Sequence, residues 1–552
     1  MRSPVQLRAQ FFKLLRENGL LAKAFCACAL FALLNAWTIW AIIHDFRRSL
    51  AILAITAVVW LWIVYSALGN VDWICEGAIR FQVYYTKLIT YRVRLIVGLS
   101  AFIAGAAYVT YEASASAEQL TSLGGLLILI LVSILFSNNP ARIDWRPVLW
   151  GLFLQFLAAF FILRTVVGGN VLRFVTDQMV TFLGYTQNGT NFVYGFIPNP
   201  PNICGMSGPF AYTSLPIIVY FGSLCSLFYY YGIVQWILTK LAFFLQLTMG
   251  TTAAESLNSA ASIFLGPTEA AVMMKISLHT MTESEILTTL TAGFSMISGS
   301  LFAIYIGFGA CCNVHTFCKR DVSSGRSLRL EAVVPGGSTL EAAFDEGIPV
   351  PRMACFTHGS IINVKVCSAS KVIAAILSNV IVFIAFVAFI DVVIDYLAVR
   401  VGFEGVTFNT LLSYVFFPFA YVCGVIGVEG ETMRVAQLIG TKTVLNEFIA
   451  YQQMSTMLME NKLSPRAQMI SVFALCGYSN FSQIGTQLGI FGALCSSRKQ
   501  SYANQSVRAM IAGCIVCLMT ACIAGTITNG AKGCNPTAAS SHCITLTNST
   551  YP

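Results

Sequence analysis

The sequence predicts an all-α, polytopic helical membrane protein, and three observations predict it. Of the 552 residues, 57% are hydrophobic and only 10% are charged, whereas about a quarter of a soluble domain is charged. Apolar stretches recur that match the roughly 20 residues a helix needs to cross a ~30 Å hydrocarbon core. Their length, and the short polar loops between them, fit helices rather than the alternating segments of a barrel.

Taken in order, residues 1–20 are a basic tail in which "RAQFFKLLREN" is amphipathic. No cleavable signal peptide is expected, because the first span is longer than a signal core and lacks a small-residue cleavage site. Spans are expected at 21–43, 50–69, 95–111, 122–137, 147–163, 209–231, 286–309, 370–396 and 503–527. Arg2, Arg8, Lys13 and Arg16 precede the first, Arg80, Lys87, Arg92 and Arg94 the third, and Arg142 and Arg146 the fifth. These ends are expected to be cytoplasmic. The loop from Glu112 to Thr121 holds no Lys or Arg, as an outside loop should, while Arg47 and Arg48 go against the pattern.

The net charge of +9 belongs to these loops, and no basic stripe interleaved with aromatics is present. Nucleic acid is therefore excluded as a partner, and the lipid bilayer is the expected one. Most of the 18 cysteines lie in apolar spans as small buried hydrophobes. Cys534 and Cys543 sit in a polar tail with the sequon Asn548-Ser549-Thr550; if the tail is outside, a disulfide and a glycan are both expected. "CCNVHTFC" at 311–318 has ligand-type residues without a matching second half, so no metal site is expected. The five histidines form no metal or acid-base spacing, which argues against an enzyme, and no repeated ring of charges points to a channel.

"SIFLGPTEAAVMMKI", residues 262–276, sets Gly-Pro, Glu269 and Lys275 in an apolar stretch. A carboxylate at mid-bilayer costs roughly 2.5 to 3.5 kcal/mol and so faces a cavity or a partner. A bland reading is a Glu269–Lys275 pair pinning two helices. A second interrupted element is expected at 408–427, where Pro418 bends an apolar run into a re-entrant hairpin. Two polar clusters follow: "LIGTKTVLNEFIAYQQM" with Asn446 and Glu447, and "ALCGYSNFSQIGTQLG" with Asn480, Ser482 and Gln483. Broken helices in two halves of a membrane protein point to a substrate site near the bilayer midplane of a secondary transporter.

"GTTAAESLNSAASIFLGPTEA", "TAGFSMISGSLFAIYIGFG", "LIGTKTVLNEFIAYQQ" and "CGYSNFSQIGTQLG" resemble the signature segments of the concentrative nucleoside transporters. The likeness covers most of 140–310 and 370–527, and the extra N-terminal spans and Cys-bearing tail resemble the animal-type members. The resemblance implies a plasma-membrane homotrimer of elevator type, with a fixed scaffold and a transport domain carrying two hairpins. It divides the chain into a cytoplasmic tail 1–20, extra spans 21–112, a core 113–250, the first hairpin and next span 251–310, and a divergent polar segment 311–368. A span 369–400, the second hairpin and broken helices 401–500, a last span 501–527 and an extracellular tail 528–552 complete it. The implied substrates are nucleosides, purine, pyrimidine or both, with no cofactor. Thr268 and Glu269 match positions that bond the base, Glu447 and Asn480 those that hold the ribose hydroxyls, and Tyr478 an aromatic near the sugar. A carboxylate is a strong acceptor for vicinal hydroxyls, and a Thr-Glu pair offers the donor and acceptor a base edge needs.

Four departures carry weight. Pro267 stands where the family has a base-contacting glutamine, and Gln483 where it has a serine; the longer amide either refills a polar contact or narrows the pocket. Residues 311–335 replace a family span with polar sequence and 350–368 looks foreign, which fits a divergent loop or a gene-model loss of a helix. The sodium-coupled members use an asparagine and a Ser or Thr, with backbone carbonyls, where this chain has Ser262, Met296 and Ile297. A thioether is a poor sodium ligand, so protons are the expected coupling ion, with Glu269 and Glu447 as carriers. Sodium coupling, facilitative movement and a transport-dead nucleoside-binding relative are the alternatives.

Overall fold

The computed structural model describes residues 19–44, 116–198, 208–297, 358–426 and 430–528, apart from a few positions within them, and isolated residues at 52–60 and 110–111. The chain divides into two units, Met1–Ile103 and Ala104–Pro552. In the first, helix α1 spans Gly19–His44. Its polar side chains find partners inside an apolar element, as lipid demands: Thr38 and Thr56 share a hydrogen bond of 2.7 Å, and the Trp60 indole N–H donates to Asn35 Oδ1 at 2.9 Å. The expected spans 50–69 and 95–111 lie almost wholly outside the described residues.

The second unit contains α2 (Ala117–Leu135), α3 (Trp145–Arg164), α4 (Val166–Gly184), α5 (Thr186–Tyr194), α6 (Leu215–Tyr230) and α7 (Ile233–Met249). Then come α8 (Ala253–Phe264), α9 (Pro267–Met273), α10 (Glu283–Ser295), α11 (His358–Arg400), α12 (Phe408–Val422) and α13 (Glu431–Val444). The last four are α14 (Glu447–Met459), α15 (Pro465–Leu475), α16 (Phe481–Leu494) and α17 (Lys499–Ile527). No strand occurs among the described residues, and five of their helices are long and apolar enough to cross a membrane. Local signals fix the starts. Thr252 with Glu255, and Thr282 with Glu285, form reciprocal capping boxes at α8 and α10, and Ser464 with Pro465 opens α15.

Helix α17 organises the packing. Its apolar span is 83% buried, against 6% for the apolar part of α11, and it touches α2, α3, α10, α15 and α16. Small residues permit the close approach: a Cβ on Gly525 would lie 2.6 Å from Ser122 Oγ. Polar bonds join the same helices, with Gln155 Nε2 donating to Thr520 Oγ1 at 2.8 Å and Ser122 Oγ to the Cys423 carbonyl at 2.8 Å.

Several expected elements are corrected. The stretch 286–309 is not uninterrupted, because α10 ends at Ser295 and Met296 is extended at φ −96°, ψ 167°. Helix α11 begins at His358, inside the stretch that looked foreign. Residues 408–427 do not make a hairpin alone. Helix α12 runs through Pro418, which stands on an exposed face, and packs along α13 beyond the turn at Cys423–Gly424. The next break falls at Leu445–Asn446, between α13 and α14.

Candidate functional site

Three helix-break-helix pairs supply the polar groups: α8–α9, α13–α14 and α15–α16. Gly266-Pro267 makes the first break, and Pro267 is the first residue of α9, where a missing N–H leaves no bond unmade. Thr268 and Glu269 follow in the first turn of α9, with side chains outside the described residues.

Asparagines make the other two breaks. Asn446 is extended and its Oδ1 accepts from the Ile449 N–H at 3.0 Å, which starts α14 with Glu447 as its first residue. Asn480 does the same for α16, accepting from the Gln483 N–H at 2.8 Å. Its other amide atom reaches across: Asn480 Nδ2 donates to Glu447 Oε2 at 2.7 Å. Glu447 and Asn480 are 3% and 2% exposed, so this bond sits in a dry place where it is strong. The structure thus brings together two helix N-termini, whose partial positive charge favours an anionic group. Between them it holds one carboxylate oxygen in a fixed position. Tyr478 is buried beside them, its carbonyl accepting from the Asn480 N–H at 2.8 Å.

Lys442 escaped the reading of the sequence. It is 2% exposed, and its Nζ donates to Ser479 Oγ at 2.5 Å and to the Ala474 carbonyl at 3.5 Å. It thereby fastens the segment between α15 and α16 that presents Asn480. The signal was there, a lysine amid the apolar residues of "LIGTKTVLNEF". The same segment needs Gly477, at φ +97°, where a Cβ would lie 2.9 Å from Cys517 Sγ.

The expected ion positions Ser262, Met296 and Ile297 are each 1% exposed. Helix α8 packs on α10, and α9 packs on α16, so the first break is joined through neighbouring helices to the helix that Asn480 caps. Gln487 of α16 also escaped the sequence reading; it is fully buried with both amide atoms unpartnered. Lys275, the "CCNVHTFC" segment, Cys534, Cys543 and Asn548 lie outside the described residues.

Comparison with known families matches residues 124–197 to the N-terminus of the Na+ dependent nucleoside transporters, 211–311 to a nucleoside recognition domain and 359–525 to the C-terminus of the Na+ dependent nucleoside transporters. The last match takes in 359–368, the second half of the stretch 350–368 that looked foreign. Sodium/nucleoside cotransporter 2 of Rattus norvegicus is 32% identical over 563 residues, covering 97% of this chain and 81% of the relative. Sodium/nucleoside cotransporter 1 of Mus musculus is 32% identical over 532 residues, covering 93% and 78%. Among solved structures, CNTnw in an inward-facing substrate-bound state is 27% identical with a TM-score of 0.68, covering 74% of this chain and 97% of that one. A CNTnw variant in an outward-facing state gives 27% and 0.68, covering 75% and 98%. Both named relatives carry sodium in their names, which goes against the expectation of proton coupling drawn from Ser262 and Met296.

Proposed function

Because the chain belongs to the concentrative nucleoside transporter family, we propose that it imports nucleosides across the plasma membrane by secondary active transport coupled to sodium. The observation that carries this reading is the buried Glu447 carboxylate held at 2.7 Å by Asn480, between the N-termini of two half-helices. A ribose offers adjacent hydroxyls, and Glu447 has oxygen lone pairs to accept from them. In the same reading Tyr478 flanks the sugar, Thr268 and Glu269 meet the base, and Pro267 and Gln483 tune which base is accepted. The two hairpin segments, 251–310 and 401–500, belong to the moving domain of a homotrimer, with the N-terminus inside and the C-terminus outside.

The test is uptake of labelled uridine and adenosine by vesicles holding the full chain. Sodium is first replaced by choline at fixed pH, and outside pH is then lowered at fixed sodium. Saturable uptake that collapses in choline is the expected result. Uptake that follows pH alone rejects sodium, and binding without uptake rejects transport.

A further inference from the structure

We infer that the side-chain oxygen of Gln487 is a ligand of the coupling sodium ion, at the broken end of α10. The inference rests on the sodium-coupled reading above and names the residue by which this chain holds the ion.

Gln487 is 0% exposed, and neither Oε1 nor Nε2 has a hydrogen-bond partner. A primary amide buried with both ends unpaired is costly to keep unless something meets it. It lies against Gly293 in the last turn of α10; a Cβ there would come within 3.0 Å of the amide, so the glycine is what admits it. Helix α10 stops at Ser295, and Met296 is extended. The last carbonyls of a helix have no intrahelical donor, and they stand at the negative end of its dipole. Ser262 Oγ, on α8 packed against the same helix, is another buried side-chain oxygen without a hydrogen-bond partner among the described residues.

Sodium is a hard cation that takes neutral oxygens, and broken-helix carbonyls are where transporters hold it. Met296 offers sulfur at this end. The Gln487 amide offers an oxygen of the kind that Met296 lacks. This also gives a physical reason why Met296 need not imply proton coupling: the missing ligand comes from α16, a neighbour in space and distant in sequence.

The experiment uses the purified full chain in detergent, following its thermal midpoint as sodium chloride replaces choline chloride at constant ionic strength, with and without uridine. The sodium dependence of uptake is measured in parallel. The wild type is expected to be stabilised by sodium. Gln487→Leu removes the oxygen, and Gly293→Ala displaces an intact amide. Each should raise the sodium concentration for half-effect by about tenfold or more, while uridine still stabilises at saturating sodium. Gln487→Glu, which retains an oxygen, should keep the sodium response. If Gln487→Leu fails to fold, Gly293→Ala carries the test. A wild-type sodium response in the folded variants, as expected of an amide holding only water, overturns the inference. So does a wild type that responds to uridine and not to sodium, which leaves nucleoside transport standing. Absence of any uridine response rejects the transporter reading itself, and the inference with it.

Discussion

The α8–α9 and α13–α14 pairs interrupt their helices by different chemistry. In the first, the backbone does it: Leu265 is extended, Gly266 follows, and Pro267 opens α9. In the second, a side chain does it, Asn446 capping α14 through its own amide oxygen. Their surroundings differ in the same sense. Around the second break Glu447, Asn480, Lys442 and Ser479 are joined by hydrogen bonds. Beside the first, Ser262 Oγ is unpartnered, as is the Gln487 amide on the helix that α9 packs against. The second break is thus pre-formed, and on the proposed reading a sugar there meets groups already in place. On the same reading, the polar atoms beside the first break make their bonds when a cation binds.

The largest expected effect tests the pre-formed side. Glu447→Gln keeps the size and replaces one charged acceptor by an amide that also presents a donor. Hydrogen bonds to charged groups contribute about 1.5 to 3 kcal/mol, so uptake should fall roughly 10- to 100-fold. Uridine and adenosine should suffer alike, since both carry the same ribose. Uptake by the variant equal to wild type for both would remove the sugar from this side of the site.

The contrast between the two breaks was partly legible in the sequence. Gly-Pro at 266–267 and the Asn446-Glu447 and Asn480 clusters stand out because breakers and polar groups are rare in apolar runs. Pro418 misled for the same reason: a proline reads as a break, yet in α12 it sits on an exposed face of an unbroken helix. Gln487 was hidden for another reason: one-dimensional spacing gives the residue at a position but not its neighbour in space, and Gln487 lies against Gly293 only because α16 packs on α10. Lys442 was overlooked because its partners, Ser479 and the Ala474 carbonyl, come from another half-helix.

A smaller effect sharpens the first side of the comparison. Pro267 has no donor to offer a base, whereas Pro267→Gln places an amide at the start of α9. One added polar contact to a buried base is worth on the order of 1 to 2 kcal/mol, a change of roughly 5- to 30-fold. The ratio of adenosine to uridine uptake should shift by up to that factor, with sodium dependence retained. Competition between the two labelled nucleosides in one preparation gives the ratio directly. An unchanged ratio assigns base selection to Gln483 or another group, and the first break then has no part in specificity.

The smallest effect asks whether the second break is set by its cap. Removing an N-cap side chain costs about 1 kcal/mol, while serine retains most of the capping bond. Asn446→Ala should therefore lower the thermal midpoint of the purified protein by ~1 to 3 °C relative to Asn446→Ser. Uridine protection should also weaken, because Glu447 is the first residue of the helix that the cap starts. Pro267→Ala should shift the midpoint by no more than a proline's effect on the unfolded chain, under ~1 kcal/mol, because its ring bonds to nothing. If Asn446→Ala and Asn446→Ser melt together and bind uridine alike, the break at Leu445–Asn446 is imposed by packing. The two pairs would then differ in residue type without differing in what holds them open.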